Sequence, residues 1–164
     1  MSIDCYMNID GKSVKGESIQ KNHTDEIELF NWTWGAHNSS CTVGSGSAVG
    51  KGTPGMITVS KRYDRSSTVL AKSCASGTHF KEVILSMDKA SGKDDGQQVF
   101  MKVTLNEVYI SDINVSATKG GDVLENVTMS YGKFKVEYSP QKTDGSLETA
   151  VQFSWDTRST EATN

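Results

Sequence analysis

The sequence predicts a mainly β protein with one short α-helix. Apolar and polar residues alternate at period two along most of the chain, the mark of strands with one buried face. Gly- and Asp-rich turn signals such as "ASGKDDGQQ", "ATKGGD" and "KTDGS" separate those runs. A single window, "DRSSTVLAKSCASG", carries its apolar residues at helical spacing instead. A small antiparallel barrel or a sandwich is the natural closure for such a chain.

The elements follow in order. "IDCYMNI" places Ile3, Cys5, Met7 and Ile9 on one face and reads as a strand starting almost at residue one. "IELFNWTWGAH" is less regular. Ile27 and Leu29 are odd-numbered, while Phe30, Trp32 and Trp34 are even, so the apolar face switches between Leu29 and Phe30. Either a bulge there keeps both sets in one core, or the strand is covered on both faces. Past Phe30 the tryptophans define the buried side, and Asn31 and Thr33 point the other way. "GMITVSKRY" is a strand through Ile57 and Val59. In the helical window Asp64 or Ser66 can cap the start and Gly77 can supply the left-handed residue at the end, giving a helix over about 67–75. "KEVILSM" aligns Val83, Leu85 and Met87, and "QVFMKVTL" aligns Val99, Met101, Val103 and Leu105. The next run moves its apolar set to Val108 and Ile110, then back to Ile113 and Val115, and each shift requires a bulge or bend. "DVLENVTMSYGKFKVEYSP" is a strand pair or one bent strand interrupted at Gly132, and "AVQFSW" closes the series. The expected core comprises Trp32, Trp34, Val83, Leu85, Val103, Leu105 and Trp155.

With 164 residues the chain has the size of one domain, 1–164, with an extended loop about 44–55 and a polar tail about 157–164. Apolar residues make up only 35%, so either the core is thin or neighbouring subunits bury surface that a monomer would bury alone. A net charge of −3 with no basic patch argues against nucleic acid. No apolar stretch is long enough for membrane insertion as a helix, and "MSIDCYMNID" lacks the basic and apolar regions of a secretory signal. The odd, sparse set Cys5, Cys41 and Cys74 is no disulfide framework and reads as reduced thiols.

Candidate chemistry is weak throughout. "GSGSAVGKGTPG" has Ser45 and Gly52 where a phosphate loop needs Gly and Ser or Thr, and no helix signal follows. His37, Cys41, Cys74 and His79 have spacings a zinc site could use, but a small buried hydrophobe plus loop histidines explains them more simply. Asp64, Ser66 and His79 could form a hydrolytic triad on paper, yet capping accounts for the first two. Pairs such as Glu26 and Glu28 read as solvated charge. The reading is therefore of a protein that is no enzyme, without catalytic residues, metal or cofactor. A sugar-binding module is the alternative, with Trp32 and Trp34 as stacking platform; their sharing a face with Phe30 favours core instead.

Several stretches together resemble one family. "DCYMNIDG", "VKGES" at Val14 to Ser18, "HTDEIELFNWTWG", "SKRYDRSS", the "CASG" helix end, "LNEVYISDINVSA", "LENVTMSYGKFKVEYSPQKTDGS" and "FSWDTR" are similar, in that order, to the haemolysin-coregulated proteins, the tube proteins of bacterial type VI secretion. The resemblance implies a small β-barrel with a short helix, six copies forming a ring with a wide channel. The rings stack into a tube that a contractile sheath drives out of the cell. It implies as partners the chain itself, sheath and tube-tip spike proteins, and effector proteins carried in the channel. It also implies assembly in the cytoplasm and then secretion without a cleaved signal. On that footing Asn31 and Thr33 are expected to face the channel. The loop around Gly44 to Pro54, long and without apolar anchors, is expected to reach the neighbouring ring through Ser45, Ser47, Lys51 and Thr53.

Overall fold

The computed structural model describes residues 3–39, 50–90 and 96–164. Its strands are β1 (Ile3–Ile9), β2 (Ile27–Leu29), β3 (Asn31–Thr33), β4 (Ala36–Asn38), β5 (Gly52–Pro54), β6 (Ile57–Arg62), β7 (His79–Ala90), β8 (Gln97–Ala117), β9 (Val123–Ser130), β10 (Lys133–Tyr138), β11 (Val151–Asp156) and β12 (Glu161–Thr163). One helix, α1 (Arg65–Ser76), lies between β6 and β7. The fold is mainly β with one short helix, and every ladder joining two named strands is antiparallel.

β8 is the spine. The sequence suggests separate runs here, and the structure joins them into one strand of 21 residues. Its first half pairs with β10 over Met101–Asn106 and its second half with β9 over Tyr109–Ala117, while β7 lies along its other edge as far as Tyr109. At the point of exchange Glu107 adopts a left-handed φ of 54°. There the inward residues of β7 and β8 change parity together, from Val83 opposite Leu105 to Phe80 opposite Val108. The register survives because both strands switch at one level. A second irregularity between Ile110 and Asp112 restores the odd-numbered set at Ile113. Both shifts in the apolar pattern thus have a local cause.

The main ladders run β2-β1-β7-β8-β9-β6-β3, with β10, β11 and β12 extending from the first half of β8. They form an open path and do not by themselves close a barrel. The two ends of the path, β2 and β3, are consecutive pieces of chain separated by Phe30 alone. β2 pairs with β1; at Phe30 the backbone N–H donates to the Ser60 carbonyl at 2.8 Å; β3 then pairs with β6. This change of partner explains the face switch. Leu29 and the two tryptophans all turn toward one core, and Phe30 is left 53% exposed with the Arg62 guanidinium 5.4 Å from its ring centre.

Helix α1 starts two residues before the expected position because Asp64 is the N-cap. Its carboxylate accepts from the Ser66 N–H, and Ser67 completes a capping box. Gly77, with φ 68°, ends it, its N–H returning to the Ser73 carbonyl. Leu70 is driven wholly into the core.

Candidate functional site

The site is a sheet face, and strand register builds it. Asn31 of β3 stands opposite Ser60 of β6, Ser60 opposite Asn126 of β9, and Asn126 opposite Asn114 of β8. One step along, Thr33, Thr58, Thr128 and Asp112 form a second row. Directly opposed residues point to the same side of a sheet. The two rows therefore share the face on which Asn31 and Thr33 lie exposed. Hydrogen bonds run along each row from strand to strand: Ser60 Oγ–H donates to Asn126 Oδ1 at 2.5 Å, and the Thr58 and Thr128 hydroxyls are 3.0 Å apart. Between the rows the same strands send Trp32, Val59, Val127 and Ile113 to the core. Around these rows the sheet thus turns apolar side chains to the core, with the Lys61–Glu125 pair among them, and amides, hydroxyls and the Asp112 carboxylate outward.

The tryptophans are half-buried against that core. Trp32 Nε1–H donates to Met87 Sδ at 3.1 Å. Trp34 Nε1–H donates to the Tyr131 hydroxyl at 2.6 Å, and that hydroxyl in turn donates to the Gly55 carbonyl at 2.6 Å. Phe134 covers the Trp34 ring at 4.4 Å between centroids. Both Trp32 and Trp34 have a partner for the indole N–H, and Phe134 occupies one face of the Trp34 ring. Val83, Leu85, Val103 and Leu105 have no exposure at all. Trp155, also expected in the core, lies half-buried outside that cluster. It instead supports the base of the Gly-rich loop, where a Cβ on Gly52 would come within 2.9 Å of its ring.

Of the loop candidates, Ser45 and Ser47 lie outside the described residues, as does Cys41. Lys51 and Thr53 are exposed, and Thr53 lies on β5, which pairs with β4 in a separate two-stranded sheet. Lys51 Nζ donates to Thr160 Oγ1 at 3.3 Å. Part of the expected polar tail thus folds back, and its last residues form β12 along β11.

The hydrolytic set is not assembled. Asp64 and Ser66 are occupied in the cap, while the His79 ring tilts against Tyr109 at 5.6 Å. Cys74 sits half-buried on α1 against the core. Among the described residues no three His, Cys, Asp or Glu side chains are placed so that they could hold one metal ion.

Two buried polar clusters escape a reading by composition. Lys61, fully buried beneath α1, holds Glu125 and Asp64 at 2.9 Å each and Ser67 at 2.8 Å. His23 places Nδ1 2.6 Å from Glu26 and Nε2 2.9 Å from Asp88, with Tyr6 stacked on its ring at 4.1 Å. Glu26 is thus buried rather than solvated, unlike exposed Glu28. Burial pushes the Asp88 carboxyl above its usual range despite His23, and burial with neighbouring carboxylates pushes the Tyr6 phenol up to about 12. A signal for the first cluster was available: Lys61 and Glu125 both occupy core-side parity beside Val59 and Val127.

Comparison with known proteins agrees with the geometry. The model of the family described as type VI secretion system effector, Hcp, matches residues 6–138. Protein hcp1 of Pseudomonas aeruginosa is 35% identical over 161 residues, 96% of this chain and 97% of that relative. A solved type six secretion system protein superposes with a TM-score of 0.89 at 25% identity, covering 99% of this chain and 100% of the other. Hcp1 from Salmonella typhimurium gives 0.75 at 25% identity, with the same coverage.

Proposed function

The chain belongs to the Hcp family of type VI secretion proteins, and on that premise we propose that it is a tube subunit of such a machine. Six copies close into a ring, rings stack into a conduit, and effector proteins travel in its channel. Sheath and tube-tip spike proteins engage the assembled tube. The curled sheet acts as a barrel whose seam is the partner change at Phe30, a reading supported by the Phe30–Ser60 backbone bond.

The observation that carries the proposal is the two-sided sheet β3-β6-β9-β8. Its inner side packs a core, and its outer side carries two adjoining rows of polar side chains, flanked by exposed Leu124 at one end and Tyr109 at the other. Such a surface suits a wall past which cargo must move without sticking, because apolar patches would hold it. Asn31 and Thr33 belong to that wall. Lys51 and Thr53, with Ser45 and Ser47, serve contact with the next ring.

The test is native mass by light scattering, followed by negative-stain images of the same fraction. A mass about six times the protomer with open rings is expected from cyclic closure. A monomer at high concentration would overturn the proposal. Thr33→Gln should leave the ring mass unchanged and alter cargo retention; loss of folding would show that Thr33 does not stand on an open face.

A further inference from the structure

The two rows of the wall carry one formal charge between them. Of the eight side chains on its two rows, seven are Asn, Ser or Thr, and the eighth is Asp112. Asp112 is exposed and has no ion-pair partner among the described residues. The other charges on β6 and β9 are paired. Lys61 and Glu125 neutralise each other on the core side, and Arg62, one row beyond Asn31, is bonded to Asp122 at 3.1 Å. The hydroxyls and amides at Ser60, Asn126, Thr58 and Thr128 satisfy one another across the strands. Asp112 is therefore the one formal charge on these rows with its pairing unmet. The irregularity between Ile110 and Asp112 is what turns it outward, opposite Thr128.

We propose that this face docks a protein cargo whose contacting surface is basic, with Asp112 as the residue that selects it. The inference rests on the tube reading: cyclic assembly repeats the carboxylate at one level around the channel, and a concave wall of one sign concentrates ions of the other. A single carboxylate on a monomer surface would be screened within about 8 Å at physiological salt. Repeated around an enclosed channel, it discriminates between cargo surfaces by charge while the neutral rows supply hydrogen bonds of either polarity. The commitment is to Lys- or Arg-bearing protein surface. An acidic cargo meets an uncompensated like charge and is disfavoured.

The experiment uses the full chain and two fluorescent decapeptides, one of lysine and one of glutamate, read by anisotropy on assembled protein. Light scattering of each sample establishes assembly first. Wild-type rings should bind the lysine peptide more tightly than the glutamate peptide, and Asp112→Asn should weaken lysine-peptide binding roughly tenfold. Asp112→Lys should reverse the preference. Glu28→Gln removes the same charge from an exposed position on β2, outside the wall, and should change little. Rings that bind both peptides equally, or that respond alike to Asp112→Asn and Glu28→Gln, would overturn the selection by Asp112 and leave the tube reading standing. Wild-type protein that stays monomeric would overturn both.

Discussion

Lys61 is a lysine with no exposed surface, and its environment defines what can replace it. Glu125 and Asp64 carry the compensating charge, and Ser67 takes a further donor. Removing one member of a buried pair costs more than the pair contributes, because the survivor stays buried without a partner. Lys61→Met should therefore lower unfolding stability by about 3–5 kcal/mol, read from urea midpoints at fixed protein concentration. Adding Glu125→Leu should recover most of that loss; an additive double variant would show that the two charges do not depend on each other. Asp88 makes a separate test through pH. Burial raises its carboxyl in the folded state, so the native chain holds that proton more tightly than the unfolded one. Its contribution to stability is then greatest in acid and declines as pH rises from the unfolded value of about 3.9 through the raised native one. Asp88→Asn lacks this titration and can still accept from His23. The stability gap between variant and wild type should move in the variant's favour as pH climbs across that window, measured as Tm. A gap that stays flat would mean that His23 fully offsets the burial.

At the scale of elements, helix α1 and strand β8 show what a sequence can reveal. The helix was legible because its cap, apolar spacing and terminal glycine are all local. Asp64 has two tasks, capping α1 and facing Lys61, and only the first can be read from neighbouring residues. Asp64→Ala should thus cost more than the ~1 kcal/mol of an ordinary lost cap, and Asp64→Asn, which keeps the cap and loses the charge, should fall between it and wild type. Urea midpoints of the three proteins order the two tasks. For β8 the sequence exposed each shift in apolar parity, since a strand cannot change faces without a distortion. It did not reveal that one shift marks an exchange of partner from β10 to β9, because register is set between distant strands. Asn31 and Thr33 followed from alternation within six residues. Their neighbours Ser60, Asn126, Thr58, Thr128, Asn114 and Asp112 come from three other strands, and nothing local ties them to the same sheet face. Trp155 misled for a related reason: its parity put it on an apolar face, but that part of β11 backs the Gly-rich loop rather than the central core.

For the whole molecule, the low apolar content and the distribution of exposed apolar groups bear on assembly. Val99, Tyr138 and Val151 are exposed near one end of the β8-β10-β11 ladder, Val151 by 62%. Val115 and Val123 are exposed at the β8–β9 hairpin. Val99 and Val115 are 16 positions apart on one strand, on the order of 50 Å if it ran straight, so the two groups do not cover each other within a subunit. A head-to-tail ring brings different surfaces of neighbouring subunits together and can bury both groups at once. Burial in an interface links stability to concentration, because association stabilises the folded subunit by mass action. The Tm of wild-type protein should therefore rise along a dilution series from low to high concentration, in step with the ring mass. Val151→Asp places a charge where apolar surface would be buried. It should reduce the ring mass and flatten the concentration dependence, while leaving the circular dichroism of the subunit unchanged because Val151 packs little within its own chain. A variant that assembles as well as wild type would remove the β11 end from the interface. A wild-type Tm independent of concentration, with no ring present, would leave these apolar groups without the neighbour that the tube assigns them.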